Sequence, residues 1–364
     1  MTARPRKSVL FLYTEIAPYF VACLEELVRT HPVEVHLVRW PVNEEAPFHM
    51  QMPQHVQVVE RRAHNDKELE RICLGFDPTV AFASGWVDKG YLRTCRALHR
   101  AGVPTVMCSD TAWRGRARQW MGLFAAQPWL RSTFSHAWVT GAPQARYAHL
   151  LGFHKKRIRT GFYSADVSRF APISDLLGTE KRARFPHRLL CVARYIPTKG
   201  HQLLCDAFAK ACDEGRAQDW ELWIAGTGEL HEQVVSSSSG QHPRITHLGF
   251  VQASEMPAVM AQCGVFVLPS TYEPWGVVVH EHAAAGFPLL LSDAVGAHER
   301  FLRAGKNGTL FKAGDPADLY RALTWMMDRS DVELLRMGGV SARLGMDWDP
   351  AAWARVVMEL IEER

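Results

Sequence analysis

Short apolar runs alternate along this chain with longer stretches whose apolar residues recur every three or four positions. The runs SVLFLYT, VEVHLVRW, TVAFASG, PTVMCSD and HAWVTG are short and rich in β-branched residues, and predict strands. The stretches PYFVACLEELVRT and KGYLRTCRALHRAG between them carry the helical period. Strands that are apolar almost throughout, separated by helices, imply a parallel sheet covered on both faces. This pattern holds over residues 1–165. It restarts at HRLLCVA, residues 187–193, and continues through WELWIAG, ITHLGF, GVFVLPS and PLLLSDA. Between the halves, SADVSRFAPISDLLGTEKRARFPH has no sustained period and carries Pro172 and Pro186, which predicts a linker over residues 166–186. Past Gly314 the pattern is helical to the end. The expected α/β architecture is therefore two Rossmann-like, doubly wound domains, residues 1–165 and 187–345, followed by a C-terminal helical segment, residues 346–364. Facing each other, two such domains would border a cleft at the carboxyl edges of their sheets, where ligands bind in these folds.

Composition narrows the function. At 364 residues the chain is long for a single core and suits two domains. No apolar run approaches the roughly 18 residues needed to span a bilayer. The start MTARPRKSVLFLYTE turns polar again at Glu15, so it reads as a first strand rather than a signal peptide. Eight cysteines, none in a C-x-x-C pair, read as reduced core thiols of a cytoplasmic protein. A net charge of +4 is too mild to argue for nucleic acid.

Three loops of the second half follow predicted strands and so open at the carboxyl edge of that sheet. VARYIPTKG places Arg194 and Lys199 beside a helix start, where cations, backbone N–H groups and the helix dipole together suit a diphosphate; a solvated basic loop is the alternative. IAGTGEL offers Gly226 and Gly228 for a close backbone approach, or simply a tight turn. PSTYEPWGVVVHEHAAAGFP puts Glu273 in a loop, uses Gly276 for a bend, and predicts a helix from about Val277 to Gly286 that carries Glu281.

With these loops in place, the second half resembles the nucleotide-sugar-binding domain of retaining glycosyltransferases of family 4, which have the GT-B architecture. The resemblance rests on VARYIPTKG, IAGTGE, LGFV, PSTYEPWG, HEHAAAGFPLLLSDAVGAHE and GKNGTLF, in that order. It implies that Glu281 holds the ribose of a nucleotide diphosphate sugar and Glu273 the sugar hydroxyls. The amides around Trp275, Gly276 and Val277 would approach sugar and diphosphate. Arg194 and Lys199 would hold the diphosphate, with Gly226 and Gly228 near the nucleotide and Phe250, in LGFV, near the base. Glu273, Arg194 and Lys199 are thus the expected catalytic set, and a UDP-sugar the default donor. The resemblance further implies retention without a metal, a phosphate oxygen taking the acceptor's proton; no D-x-D motif stands at a strand end. WDPAAWARVVMEL resembles the helix that in this family crosses back onto the first domain. The alternatives are a GT-B nucleotide-sugar 2-epimerase and a nucleotide-sugar-binding protein without turnover.

The first half resembles the family less. The turn after the first strand, Tyr13–Phe20, has no glycine, and FASGWVDKGY brings Ser84, Gly85, Trp86 and Asp88 to the edge where family members often carry a histidine. With Asp110 after PTVMC, Ser84, Trp86 and Asp88 are the acceptor-side candidates, for a glycan, lipid-linked or small-molecule hydroxyl. RGRARQWMGLF, with Arg114, Arg116 and Arg118 at a helix start, suits peripheral contact with the inner face of a membrane; a solvated helix start is the alternative. His280 and His282 flank Glu281 two apart on a helix, so they point apart and do not make a metal site.

Overall fold

A computed structural model describes residues 7–41, 47–115 and 117–363. The chain divides into two compact units, and each is parallel-sheet α/β.

The first unit takes residues up to 164 apart from a short excursion, then residues from 349 onward. Its elements run β1 (Lys7–Tyr13), α1 (Pro18–Thr30), β2 (Val33–Arg39), β3 (Val56–Glu60), α2 (Asp66–Gly75), β4 (Val80–Ser84), α3 (Lys89–Arg100), β5 (Thr105–Ser109), α4 (Ala117–Arg131), β6 (His136–Val139), α5 (Ala142–Leu150) and β7 (Ile158–Arg159). The second unit holds Phe48, whose ring meets that of Phe250 at 5.2 Å, and residues 165–348. It runs α6 (Val167–Ala183), β8 (Arg188–Val192), α7 (His201–Asp213), β9 (Glu221–Ala225), α8 (His231–Val235), β10 (Ile245–Gly249), α9 (Met256–Ala261), β11 (Val265–Leu268), α10 (Val277–Ala284), β12 (Leu289–Ser292), α11 (His298–Phe301), β13 (Gly308–Phe311), α12 (Pro316–Met327) and α13 (Asp331–Met346). The closing helix α14 (Pro350–Glu362) belongs to the first unit.

Every strand pairing is parallel. The sheet orders are β3-β2-β1-β4-β5-β6-β7 and β10-β9-β8-β11-β12-β13. Both orders reverse direction once, between β1 and β4 and between β8 and β11. The carboxyl ends of such a pair of strands are where ligands bind in open α/β sheets.

The central strands are buried along most of their length, as their apolar runs require. The first core is closed by α14: Trp353 is buried against Phe11, Phe20 and Trp138, and its indole N–H donates to the carbonyl of Phe162 at 2.9 Å. The second core runs under α7, α12 and α13. All eight cysteines are free thiols, and all but Cys212 are buried.

One expectation is corrected. Residues 166–186 are not a linker: most of the segment forms α6, a helix of 17 residues belonging to the second unit. The segment has no sustained helical period in sequence and carries Pro172, a residue that removes a helix hydrogen bond, which together hid it. Three short edge strands, β3, β7 and β13, were also not predicted as strands.

Candidate active site in the second unit

The loops after β8 and β11 meet at the switch point of the second sheet. Three backbone constraints hold them together. The amide of Thr271 donates to the carbonyl of Thr198 at 2.8 Å. Gly200 has φ +71°, and a Cβ there would stand 2.5 Å from the carbonyl oxygen of Pro269. Gly276 has φ +92°, a conformation that costs a side-chain-bearing residue, and it turns the chain into α10.

This junction brings Lys199 and Glu273, 74 positions apart, into a direct ion pair whose side chains are only 15% and 14% exposed. A pair so poorly solvated interacts more strongly than a surface pair, and removing either partner leaves a costly lone charge. Glu273 is further held by the loop after β12: its amide donates to Ala294 at 3.3 Å, and its carbonyl accepts from Gly296 at 3.0 Å. No space remains for a side chain at Gly296, where a Cβ would lie 2.2 Å from the carbonyl of Pro274. Trp275 is buried with its ring edge-on to Phe301, while its carbonyl accepts from Ala297 at 2.9 Å. Trp275 therefore contributes backbone to the edge and side chain to the core. Arg194 is partly exposed at the end of β8.

Gly226 and Gly228 bring the loop after β9 against the loop after β8. A Cβ at Gly226 would fall 2.0 Å from the carbonyl of Ala193, and one at Gly228 would fall 2.8 Å from that of Tyr195. The amides of Tyr195 and Leu230 close the junction at 2.8 and 2.9 Å. Beneath it, the hydroxyl of Tyr195 donates to His247 Nδ1 at 2.7 Å, and the Tyr195 ring stacks on His201 at 4.0 Å. Tyr195, which sits inside VARYIPTKG, was not singled out from sequence.

Glu281 lies in the middle of α10 and keeps part of its surface open. Burial pushes its carboxyl up to about 7; Arg169 opposes the shift and Asp166 adds to it. Arg169 and Asp166 stand at and before the start of α6, in the stretch expected to be a linker, so no periodicity marked them. The flanking histidines serve the scaffold. His280 accepts from the amide of Ala165 at 3.0 Å and donates to the carbonyl of Gly345 at 2.8 Å, whereas His282 donates to Val278 at 2.8 Å. Among the described residues no cluster suits a metal ion.

Chemically, the site offers a lysine whose ammonium has donors beyond the one given to Glu273, an arginine on the same loop, and a helix start without a side-chain cap at Val277. Such an edge can neutralise a diphosphate, and two carboxylates can accept from hydroxyls.

Residues 186–329 match the family model described as glycosyl transferases group 1. Within the second unit, residues 186–329 are thus similar to glycosyltransferase group 1 domains. Curated relatives of the chain include mannosylfructose-phosphate synthase of Agrobacterium fabrum, 28% identical over 58% of this chain and 49% of that protein. A GDP-mannose-dependent phosphatidylinositol monomannoside mannosyltransferase of Mycolicibacterium smegmatis is 25% identical over 82% of both chains. The phosphatidyl-myo-inositol mannosyltransferase of Mycobacterium leprae is 32% identical over 53% of this chain and 52% of that one. The matches thus span about half the length of the first and third of these relatives. Among solved structures, HepE of Anabaena in complex with UDP and glucose aligns with TM-score 0.72 at 17% identity, covering 99% of this chain and 100% of that one. Sucrose-phosphate synthase of Thermosynechococcus elongatus gives 0.72 at 15%, covering 98% and 99%. The fold of the chain is accordingly GT-B.

In the first unit, Ser84 sits at that sheet's own switch point, where its hydroxyl accepts from the amide of Thr14 at 2.9 Å. Asp110 accepts from the Tyr163 hydroxyl at 3.3 Å, and the partly buried Trp86 meets Tyr147 edge-on at 6.4 Å. The geometry gives Asp88 to the scaffold instead of an open edge. Its two oxygens cap α3 through the amide of Tyr91 at 2.9 Å and accept from Trp40 and Arg61, each at 3.0 Å. Of the basic cluster at α4, Arg114 is exposed and precedes the helix, whereas Arg116 and the side chain of Arg118 lie outside the described residues. Trp120 is half-exposed, edge-on to Trp113 at 5.0 Å. No helix among the described residues is long and apolar enough to cross a membrane.

Proposed function

We propose that the protein transfers a hexose from a nucleotide diphosphate sugar to a hydroxyl acceptor, with retention and without a metal. The observation that carries this reading is the Lys199–Glu273 pair beside the α10 start, with Arg194 on the same loop as Lys199, at the switch point of the second sheet. Breaking the bond between sugar and diphosphate puts negative charge on the phosphates and positive charge on the anomeric carbon. Lys199 and Arg194 would meet the first, and their preorganisation matters more in the transition state than in the bound substrate; a single contact of this kind is worth on the order of 3 kcal/mol. Glu273, tethered to Lys199, would accept from the sugar hydroxyls and orient the ring. Glu281 would hold the ribose. The proton of the attacking hydroxyl would pass to a phosphate oxygen of the leaving group.

The donor proposed is a UDP-hexose. One relative's name carries GDP-mannose, so both belong in the test. The names of that relative and of one other carry phosphatidylinositol, which supports a lipid-linked acceptor held by the first unit near Ser84, Trp86 and Asp110. Release of nucleoside diphosphate from UDP-glucose and GDP-mannose should be followed with phosphatidylinositol and simple glycoside acceptors, in the presence of EDTA. Turnover is expected to survive chelation and to fall roughly a hundredfold or more in Lys199→Ala. Turnover that requires an added divalent cation would overturn the cation-loop reading.

A further inference from the structure

The carboxyl end of α10 faces a second, separate feature of the same unit. A cavity of 390 Å³ is lined by Lys181 and Arg182 at the end of α6, by Phe185, Ala285 and Gly286, and by Arg336 and Arg343 on α13. Arg336 and Arg343 are two helical turns apart, so they share one face. No described lining residue carries a carboxylate.

Lys181 adds buried positive charge behind this lining. It is 5% exposed, and its Nζ has no hydrogen-bond partner among the described residues. The ammonium rests 3.9 Å from the centre of the Phe287 ring. Burial pushes it down to about 7, against the opposing influence of the Cys263 thiol. A buried ammonium normally comes with a counter-charge, because desolvation without one is costly. Here the nearest charged neighbours in the lining are three exposed guanidiniums, which repel it.

We propose that this cavity binds a small organic phosphate. Guanidiniums from two helices can grip phosphate oxygens in paired hydrogen bonds. Phe185 and the partly exposed Leu335 offer apolar surface to a carbon skeleton. The volume lies in the range of small-molecule sites rather than of a bare ion. A concave site of this size also fits a soluble ligand better than a flat lipid surface. None of its residues belongs to the loops around Lys199 and Glu273, yet it adjoins Gly286, two residues past the helix that carries Glu281.

The test is calorimetric titration of the full chain carrying Lys199→Ala, which weakens the donor loops, with pyrophosphate and with glycerol 2-phosphate. Saturable binding is expected, weakened roughly tenfold or more by adding Arg336→Ala and Arg343→Ala. Both arginines are exposed, so these variants should fold. In the otherwise native chain the same pair of substitutions should leave nucleotide-sugar affinity unchanged. Lys181→Met, which keeps the stem and removes the charge, should weaken phosphate binding while raising Tm. The proposal is overturned if neither probe binds at about 10 mM or if binding is indifferent to the two arginines. It is equally overturned if arginine-dependent binding appears only with phosphatidylglycerol vesicles.

Discussion

Glu273 and Glu281 are eight positions apart, yet their surroundings separate them. Glu273 is paired to Lys199, whereas Glu281 is pushed up to about 7 by burial. Glu281→Ala is expected to weaken free nucleotide and nucleotide sugar alike, by roughly 1–2 kcal/mol for lost charged hydrogen bonds. Glu273→Ala is expected to lower turnover while sparing free nucleotide, and equilibrium binding of both ligands separates the two roles. The raised carboxyl also fixes a sign. With its ordinary value at 4.5 and its folded value near 7, the native protein holds an extra proton between those limits. Stability contributed by Glu281 is therefore full below about pH 4.5 and declines as pH rises to about 7, by on the order of 3 kcal/mol. Urea denaturation across that window should show a shallower decline for Glu281→Gln. Equal slopes would mean that the carboxyl is not desolvated. At this scale the edge positions of Lys199 and Glu273 were legible, because a strand followed by a loop fixes which edge they reach, whereas Arg169 and Asp166 beside Glu281 were not. Asp88 was not, since nothing in FASGWVDKGY reveals that Trp40 and Arg61, distant in sequence, converge on its oxygens.

The elements fall into two kinds. Central strands were readable because burial on both faces leaves mostly apolar residues, and α10, whose apolar residues mark no single face, was bounded by Gly276 and Gly286 instead of by its period. The edge strands β3 and β7 and the helix α6 lack both signals. What places α10 is contact with α13 that sequence reading did not register. A Cβ at Gly345 would come within 2.3 Å of the amide nitrogen of Ala284, and one at Gly338 within 2.3 Å of the carbonyl of Gly286. Both neighbours are backbone and cannot rotate away. Gly345→Ala is thus expected to destabilise the protein by about 1–3 kcal/mol and to weaken nucleotide binding by shifting the helix that bears Glu281. Gly339→Ala, where nothing lies within 4 Å, is the control expected to be close to neutral.

For the molecule as a whole, the first unit is made of chain segments that enclose almost all of the second in sequence. Its core is closed by Trp353, which touches Phe11, Phe20 and Trp138. Trp353→Ala should lower the stability of the first unit by about 3–5 kcal/mol while leaving nucleotide affinity in the second unaffected. Scanning calorimetry with and without nucleotide would register this as one transition moved and one still protected by ligand. The same closure has a consequence at the ribosome. The first sheet emerges early, but the helix that covers it is made only after the whole second unit has been synthesised. At about 5–20 residues per second that interval is on the order of 10–40 s. Through it the nascent first sheet carries an uncovered aromatic patch at Phe11, Phe20 and Trp138, so the domain translated first is the one completed last.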